Sequence, residues 1–347
     1  MTIAFYISGH GFGHASRSIE VINALVDRQP DARVIIRSEV ASWLVNSTVR
    51  PGVTLEPAQC DTGVVQVDSL TLDATATLTR ARTFMSTFDR RVDDEAAWLR
   101  KVGATLVVAD LPPLGIAAAQ AIGIPGIALG NFTWDWIYSG YDGSADLVNL
   151  IGDVYRHTAL ALRLPMWGGF ATMTKVIDLP FVARRSSRDP LAIRDALGLP
   201  RNQRLALASF GGYGVSGLNV EALRHTAEYR ILLPGDIDEA AIYQRGLRYE
   251  DLVRAVDVVV SKPGYGIISE CLANDTALLY TSRGHFVEYD VLVAAMPRFL
   301  RAAFIDHADL FAGRWQPHLD ALLAQPAPPT TPATNGAEVA AQLITAA

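Results

Sequence analysis

Short, continuous apolar runs rich in β-branched residues recur along this chain, each followed by a segment of helical periodicity. Val256-Asp257-Val258-Val259-Val260 is typical. Continuous runs suit strands covered on both faces, as in a parallel sheet, because a half-exposed strand would alternate apolar and polar residues. Strands are expected over Thr2–Ser8, Arg33–Ser38, Val53–Pro57, Thr105–Asp110 and Gly126–Leu129. A second set falls at Arg204–Ser209, Tyr229–Leu233, Val256–Ser261, Ala277–Thr281 and Ala302–Ile305. Helices are expected between them, over Ser16–Arg28, Phe88–Val102, Leu114–Ile122, Ala192–Leu197 and Ile267–Ala273. The alternation predicts an α/β protein with helices on both sheet faces.

The pattern pauses once. From Leu164-Pro165-Met166 to Arg188-Asp189-Pro190 periodicity is weak, and a fresh strand begins at Arg204. With 347 residues, two domains are expected: 1–185, 186–325, and a Pro-rich connector with a terminal helix over 326–347. Two such Rossmann-like units are expected to face each other across a cleft, with ligands bound outside the carboxyl ends of the strands. A net charge of -6 and the absence of a Lys/Arg stripe make nucleic acid a poor partner, since phosphate neutralisation supplies most of that affinity. The two cysteines, Cys60 and Cys271, are too few for a disulfide framework or a structural zinc site. The start Met1-Thr2-Ile3-Ala4-Phe5-Tyr6 reads as a strand and not as a signal peptide, and no apolar run reaches the ~18–20 residues of a membrane span. A cytoplasmic protein is expected.

The first strand runs into Ser8-Gly9-His10-Gly11-Phe12-Gly13-His14-Ala15-Ser16-Arg17. Gly9, Gly11 and Gly13 permit a tight turn and close approach of backbone to a ligand, and the helix beyond offers free N–H groups. A dinucleotide fingerprint needs a third glycine where His14 stands, so NAD is disfavoured. His10 and His14 are four apart, but no acidic residue separates them and His10 lies in the loop, which argues against metal. Each histidine is either a structural cap or a general base at the cleft edge. His14 is the better base, with an imidazole suited to taking a proton from a hydroxyl.

The second half repeats the device twice. Ala208-Ser209-Phe210-Gly211-Gly212-Tyr213-Gly214 follows one strand, and Ser261-Lys262-Pro263-Gly264-Tyr265-Gly266 follows another. Amides from Tyr265 to Ile268 are placed to cradle a phosphate. Glu270 is either a ribose-diol acceptor or a surface acid. Glu288 or Asp290, in Thr281–Asp290, binds sugar hydroxyls or belongs to a solvated loop. Trp134, Trp136 and Tyr138 form either a stacking platform or one half-buried strand, and Asp110 is a candidate carboxylate on the acceptor side. A helical flap over the cleft is expected from Leu70–Val102.

In their order, these motifs resemble the two-domain GT-B glycosyltransferases. The S-x-P-G-x-G-x-x-S-E segment resembles the inverting enzymes typified by the peptidoglycan N-acetylglucosaminyltransferase. The loop Gly9–Arg17 and the segment Gly130-Asn131-Phe132-Thr133-Trp134-Asp135-Trp136-Ile137-Tyr138 resemble the glycosyltransferase-like N-terminal region of plant L-arabinokinases. The resemblance implies an acceptor domain first and a nucleotide-sugar donor domain second. It places Gly264, Gly266 and neighbouring amides on the donor diphosphate, with Gly211, Gly212 and Tyr213 close by. It puts Glu270 on the ribose, Arg248 and Tyr249 at the nucleobase, and His14 in the role of base. Retaining relatives carry a glutamate where Lys262 stands, so the resemblance implies inversion. Gly9, His10, Gly11, Gly13, Arg17, Asn131 and Trp134 line the acceptor side of the cleft.

The expectation is transfer of a sugar from a nucleoside-diphosphate donor, with UDP the family's guess, to an acceptor the sequence does not reveal. No Asp-x-Asp metal motif is present, and no cofactor or metal is expected. With 347 residues there is no room for the kinase domain of the arabinokinases, so kinase activity is not carried over. Two other classes compete: a non-catalytic nucleotide-sugar sensor, and an epimerase or hydrolase on the same fold.

Overall fold

The computed structural model describes residues 1–211, 214–237 and 239–347, with only the backbone described at 239–241. Its first half builds β1 (Thr2–Ile7), β2 (Arg33–Arg37), β3 (Thr54–Glu56), β4 (Val65–Gln66), β5 (Leu72–Asp73), β6 (Leu106–Asp110), β7 (Gly126–Gly130), β8 (Leu160–Arg163) and β9 (Val176–Asp178). Seven of these form a parallel sheet in the order β3-β2-β1-β6-β7-β8-β9, and β4 and β5 pair as a small antiparallel hairpin. The second half builds β10 (Arg204–Ala208), β11 (Tyr229–Leu232), β12 (Val258–Ser261), β13 (Ala277–Tyr280) and β14 (Ala302–Phe304). They make a parallel sheet ordered β11-β10-β12-β13-β14. In each sheet the order reverses beside the strand that opens it, which leaves a crevice at the carboxyl ends of β1 and β6 and of β10 and β12.

All ten expected strands are present. β8 and β9 were not anticipated, because β9 is three half-exposed residues in a stretch broken by Pro165 and Pro180. The central strands are buried on both faces, which explains their unbroken apolar runs: Val107, Val108 and Ala109 of β6 and Val258, Val259 and Val260 of β12 are all fully buried.

The helix Gly11–Arg28 carries the first glycine loop. Ile19, Ile22 and Leu25 lie on its buried face, and burial of each contributes about 1.5–3 kcal/mol. Arg28 in the last turn matches the helix dipole. The helix Gly336–Thr345 packs against it, presenting Ala337, Ala340, Ala341 and Ile344. Phe181 fixes the return, donating its N–H to the Ala333 carbonyl at 3.1 Å and accepting from Gly336 at 2.9 Å.

Two expectations are corrected here. Trp134, Trp136 and Tyr138 are not on a strand but on the short helix Trp134–Ser139, so their alternation is one turn of helix read at period two. Leu70–Val102 is not one flap. Its later part, the helix Phe88–Val102, packs on Pro113–Ile122 as an outer layer of the first sheet. The stretch 64–73 is the part that reaches the second half here. There the Ser69 hydroxyl donates to the Phe210 carbonyl, the Ser69 N–H donates to Gly214, and Leu70 is buried among second-half side chains.

Candidate active site

β1 ends at Ile7 and the helix begins at Gly11, so His14 stands one turn inside it rather than at its start. The adjacent parallel strand β6 ends on Asp110, which puts that carboxylate beside the first turn. His14 Nδ1 lies 2.8 Å from Asp110 Oδ1. Arg17 Nε donates to Asp110 Oδ2 at 2.8 Å, its NH2 donates to Oδ1 at 2.5 Å, and the Ser18 hydroxyl donates to Oδ2 at 2.7 Å. Burial alone would push the Asp110 carboxyl up, but Arg17 and His14 outweigh it and hold the group well below the ordinary carboxylate range. An ionised Asp110 accepts only, so Nδ1 of His14 carries the proton and Nε2 is left as the basic nitrogen. Arg17 NH2 also lies 3.0 Å from His14 Nδ1; with Nδ1 protonated this is a close approach of two donors, both directed at Asp110.

The ring of His14 is held by aromatics. Trp134 stacks on it at 6.1 Å and Phe132 meets it edge-on at 5.4 Å. Trp134 is therefore buried packing and not an open platform. Its indole N–H donates to Asp61 at 3.0 Å, and the Ser8 hydroxyl donates to the other Asp61 oxygen at 3.0 Å. Burial raises the Asp61 carboxyl to about 6, against the pull of His14 and these two donors. His10 caps no helix N–H with its side chain. Burial and the neighbouring His14 hold it well below the ordinary imidazole range, so it is neutral at pH 7. Gly63 takes a φ of +58° against it, and a Cβ there would come within 2.7 Å of the His10 ring.

The helix Tyr265–Ala273 opens directly after β12 and the Gly264 turn, with no acidic residue in its first turn and no side chain capping its N–H groups. The two glycine loops touch: a Cβ on Gly266 would lie 3.6 Å from Gly13 Cα, whereas Gly13 and Gly264 both look onto open space. Arg17 lies over the Tyr265 ring at 5.5 Å, and the Tyr265 hydroxyl accepts from the Val182 N–H at 3.0 Å.

A buried chain of polar groups crosses the cleft. Arg17 NH1 donates to Asn131 Oδ1 at 2.6 Å, and Asn131 Nδ2 donates to Glu288 Oε1 at 2.7 Å. Glu288 opens the helix Glu288–Ala295 and is buried, whereas Asp290 is exposed. The structure thus brings His14, Arg17, Asp110, Asn131 and Glu288 into one network.

Other expected residues stand apart from it. Glu270 is buried and held by Arg184, whose Nε donates to Oε1 at 2.7 Å. Tyr249 lies under the same guanidinium at 5.3 Å and meets the Ser209 hydroxyl at 2.6 Å. The Arg248 N–H donates to Asp251, which starts the helix Tyr249–Ala255. Gly211 turns with a φ of +75°, while Gly212 and Tyr213 lie outside the described residues. Lys262 reaches back to Gln66 of β4 at 3.4 Å. Gly9 lies in the loop between β1 and the helix, and Gly11, at φ +71°, is the helix's first residue. Sequence reasoning missed Asp61, Gln66 and Arg184, which stand in no motif, and passed over Arg283 within the Thr281–Asp290 loop. Among the described residues no three of His, Cys, Asp or Glu gather as a metal site, and no helix is long and apolar enough to cross a membrane.

No family model matches the chain. It is 28% identical to an L-arabinokinase of Arabidopsis thaliana over 357 aligned residues, covering 99% of this chain and 34% of that protein. It is 28% identical over 205 residues to an uncharacterized glycosyltransferase of Methanopyrus kandleri, covering 53% of this chain and 56% of that one. The chain thus spans about a third and about half of the lengths of these two relatives. Among solved structures, the glycotransferase of kitacinnamycin superposes with a TM-score of 0.61 at 17% identity, over 99% of this chain and 95% of that one. A UDP-glucose:anthocyanidin 3-O-glucosyltransferase in complex with UDP superposes at 0.59 and 11%, over 100% and 94%. Two parallel α/β sheets facing across a cleft and these superpositions together give the chain the GT-B fold of the glycosyltransferases.

Proposed function

We propose that the chain transfers a glycosyl group from a nucleoside-diphosphate sugar to a hydroxylated acceptor, with inversion and without a metal ion. The observation that carries this reading is the His14–Asp110 pair at 2.8 Å, whose helix touches the glycine loop opening Tyr265–Ala273. In the proposed step the acceptor oxygen attacks the anomeric carbon while the bond from that carbon to the diphosphate breaks. The acceptor proton goes to His14 Nε2 and the electron pair leaves with the diphosphate. Asp110 keeps Nδ1 protonated and stabilises the imidazolium that forms. The amides at the start of Tyr265–Ala273 take the leaving charge, which is the role a metal ion would otherwise fill.

UDP is the first nucleotide to try, since the anthocyanidin glucosyltransferase with the same fold was solved with it. We place the reaction in the cytoplasm, in keeping with two free, buried thiols at Cys60 and Cys271. Calorimetry against UDP, GDP, TDP and their sugars tests the donor; no heat and no thermal shift with any of them sinks the proposal. His14→Ala is then expected to keep the donor affinity while turnover falls about 10²-fold or more. Loss of turnover in EDTA, restored by magnesium, would overturn the metal-independent step.

A further inference from the structure

Arg283 follows β13 in the second half and is 6% exposed. Its Nε has no partner, one long bond of 3.4 Å joins NH1 to the Pro263 carbonyl, and the guanidinium lies over the Phe286 ring at 4.0 Å. Among the described residues neither Arg283 nor Lys262 has a carboxylate at ion-pair distance; Lys262 has only the 3.4 Å contact with Gln66. The Tyr141 hydroxyl, from the first half, and the Thr281 hydroxyl, two residues before Arg283, are also buried without partners. Tyr141 feels the Arg283 charge, and so does Lys262, whose ammonium burial and Arg283 together hold down to about 7; Glu288 acts on both cations and Asp68 on Lys262, but from beyond ion-pair distance. Buried polar atoms are nearly always satisfied, and buried cations are paired. Two cations and two hydroxyls left short in one region therefore describe a site whose counter-charge comes from a ligand.

We propose that Lys262 and Arg283, with the hydroxyls of Tyr141 and Thr281, form a subsite for an oxyanion of the bound donor, separate from the amides of Tyr265–Ile268. The proposal rests on the nucleotide-sugar reading above. Two oxyanions share this chemistry: a phosphate of the donor diphosphate, and a carboxylate on an acidic sugar. Gln66 belongs to the stretch that crosses from the first half, so a ligand held by Lys262 touches both halves of the molecule.

Calorimetry of the intact chain with UDP, UDP-glucose and UDP-glucuronate, beside Lys262→Met and Arg283→Lys, tests this. The variants are expected to weaken at least one of these ligands about tenfold or more, the loss of a charge-assisted contact. An equal loss on all three assigns the subsite to phosphate, and a loss confined to the glucuronate assigns it to the sugar carboxylate. Affinities within twofold of the parent for all three overturn the proposal. Arg283→Lys keeps the charge at a buried position, and Lys262→Met is only partly buried, so a fold defect in one leaves the other readable. Should no nucleotide bind the parent, the donor reading fails, and inorganic pyrophosphate and free glucuronate then test the subsite alone. A thermal shift with either, diminished in Lys262→Met, supports it; no shift in the parent, or one that the substitution leaves unchanged, ends it.

Discussion

Asn131 donates its side-chain amide to Glu288 at 2.7 Å, and the two residues sit on opposite halves of the molecule. The other end of the same side chain accepts from Arg17 at 2.6 Å. One carboxamide therefore separates a guanidinium that holds Asp110 from a carboxylate of the second half. An amide is the one neutral group of this size that satisfies a cation with one end and an anion with the other. Replacing it by alanine leaves Glu288 and one arm of Arg17 buried and short of partners, a cost of about 1–3 kcal/mol per group. Asn131→Ala is expected to lower the urea midpoint by that order and to reduce turnover more than donor affinity. An unchanged midpoint would show that water replaces the amide on both sides.

Asp110→Asn tests the tautomer. The amide can turn its N–H₂ toward His14 and so reverse the protonation of the ring, leaving Nε2 protonated and unable to accept. Turnover is expected to fall about 10²–10⁴-fold while donor affinity stays within about threefold. The same substitution removes the anion from buried Arg17, so a stability loss of about 3–5 kcal/mol accompanies it. Turnover close to the parent's would exclude the proposed base.

The strands were legible because a strand buried on both faces needs an unbroken apolar run, and Val258-Val259-Val260 is one. The glycine loops were legible because Gly11 and Gly211 take positive φ, a conformation that few other residues adopt. The partners were not. Asp110 was a candidate catalytic carboxylate on the acceptor side, but its bond to His14 spans 96 positions. Arg184 stands in no motif, yet it closes on Glu270, 86 positions away. Tertiary pairing of this kind follows from strand order, which the local pattern does not encode. The tryptophan helix was not legible for a local reason: five residues are too few to tell period two from one helical turn, since both bring Trp134 and Tyr138 to one face.

The last helix supports the site from behind. Ile344 is fully buried on Gly336–Thr345, which packs against the helix that carries His14 and Arg17. Ile344→Ala is expected to cost about 2–5 kcal/mol, the range for a buried large-to-small change. Its effect on turnover at low temperature, where the fold persists, is expected to stay within about twofold. A turnover loss without a drop in thermal midpoint would mean that this helix positions the site rather than merely stabilising it.

Asp61 gives the fold a pH dependence of defined sign. Its carboxyl is raised to about 6 in the folded chain, chiefly by burial, against about 3.9 when unfolded. Between those values the folded chain binds the extra proton, so this group makes stability fall as pH rises from about 4 to about 6. Above pH 6 the folded state carries a buried, ionised carboxylate whose cost reaches the order of 1–3 kcal/mol. Asp110 has the opposite sign. Its folded carboxyl lies below the ordinary range, so its contribution is present above about pH 4 and is lost only as pH falls through its lower folded value. In Asp61→Asn the amide oxygen still accepts from the Trp134 indole while the amide N–H₂ donates to the Ser8 hydroxyl, so the substitution removes the first of these effects with both contacts kept. Its urea midpoint is expected to exceed the parent's at pH 7.5 and to approach it at pH 4.5. A gap of equal size at both pH values would show that Asp61 ionises no differently in the folded chain.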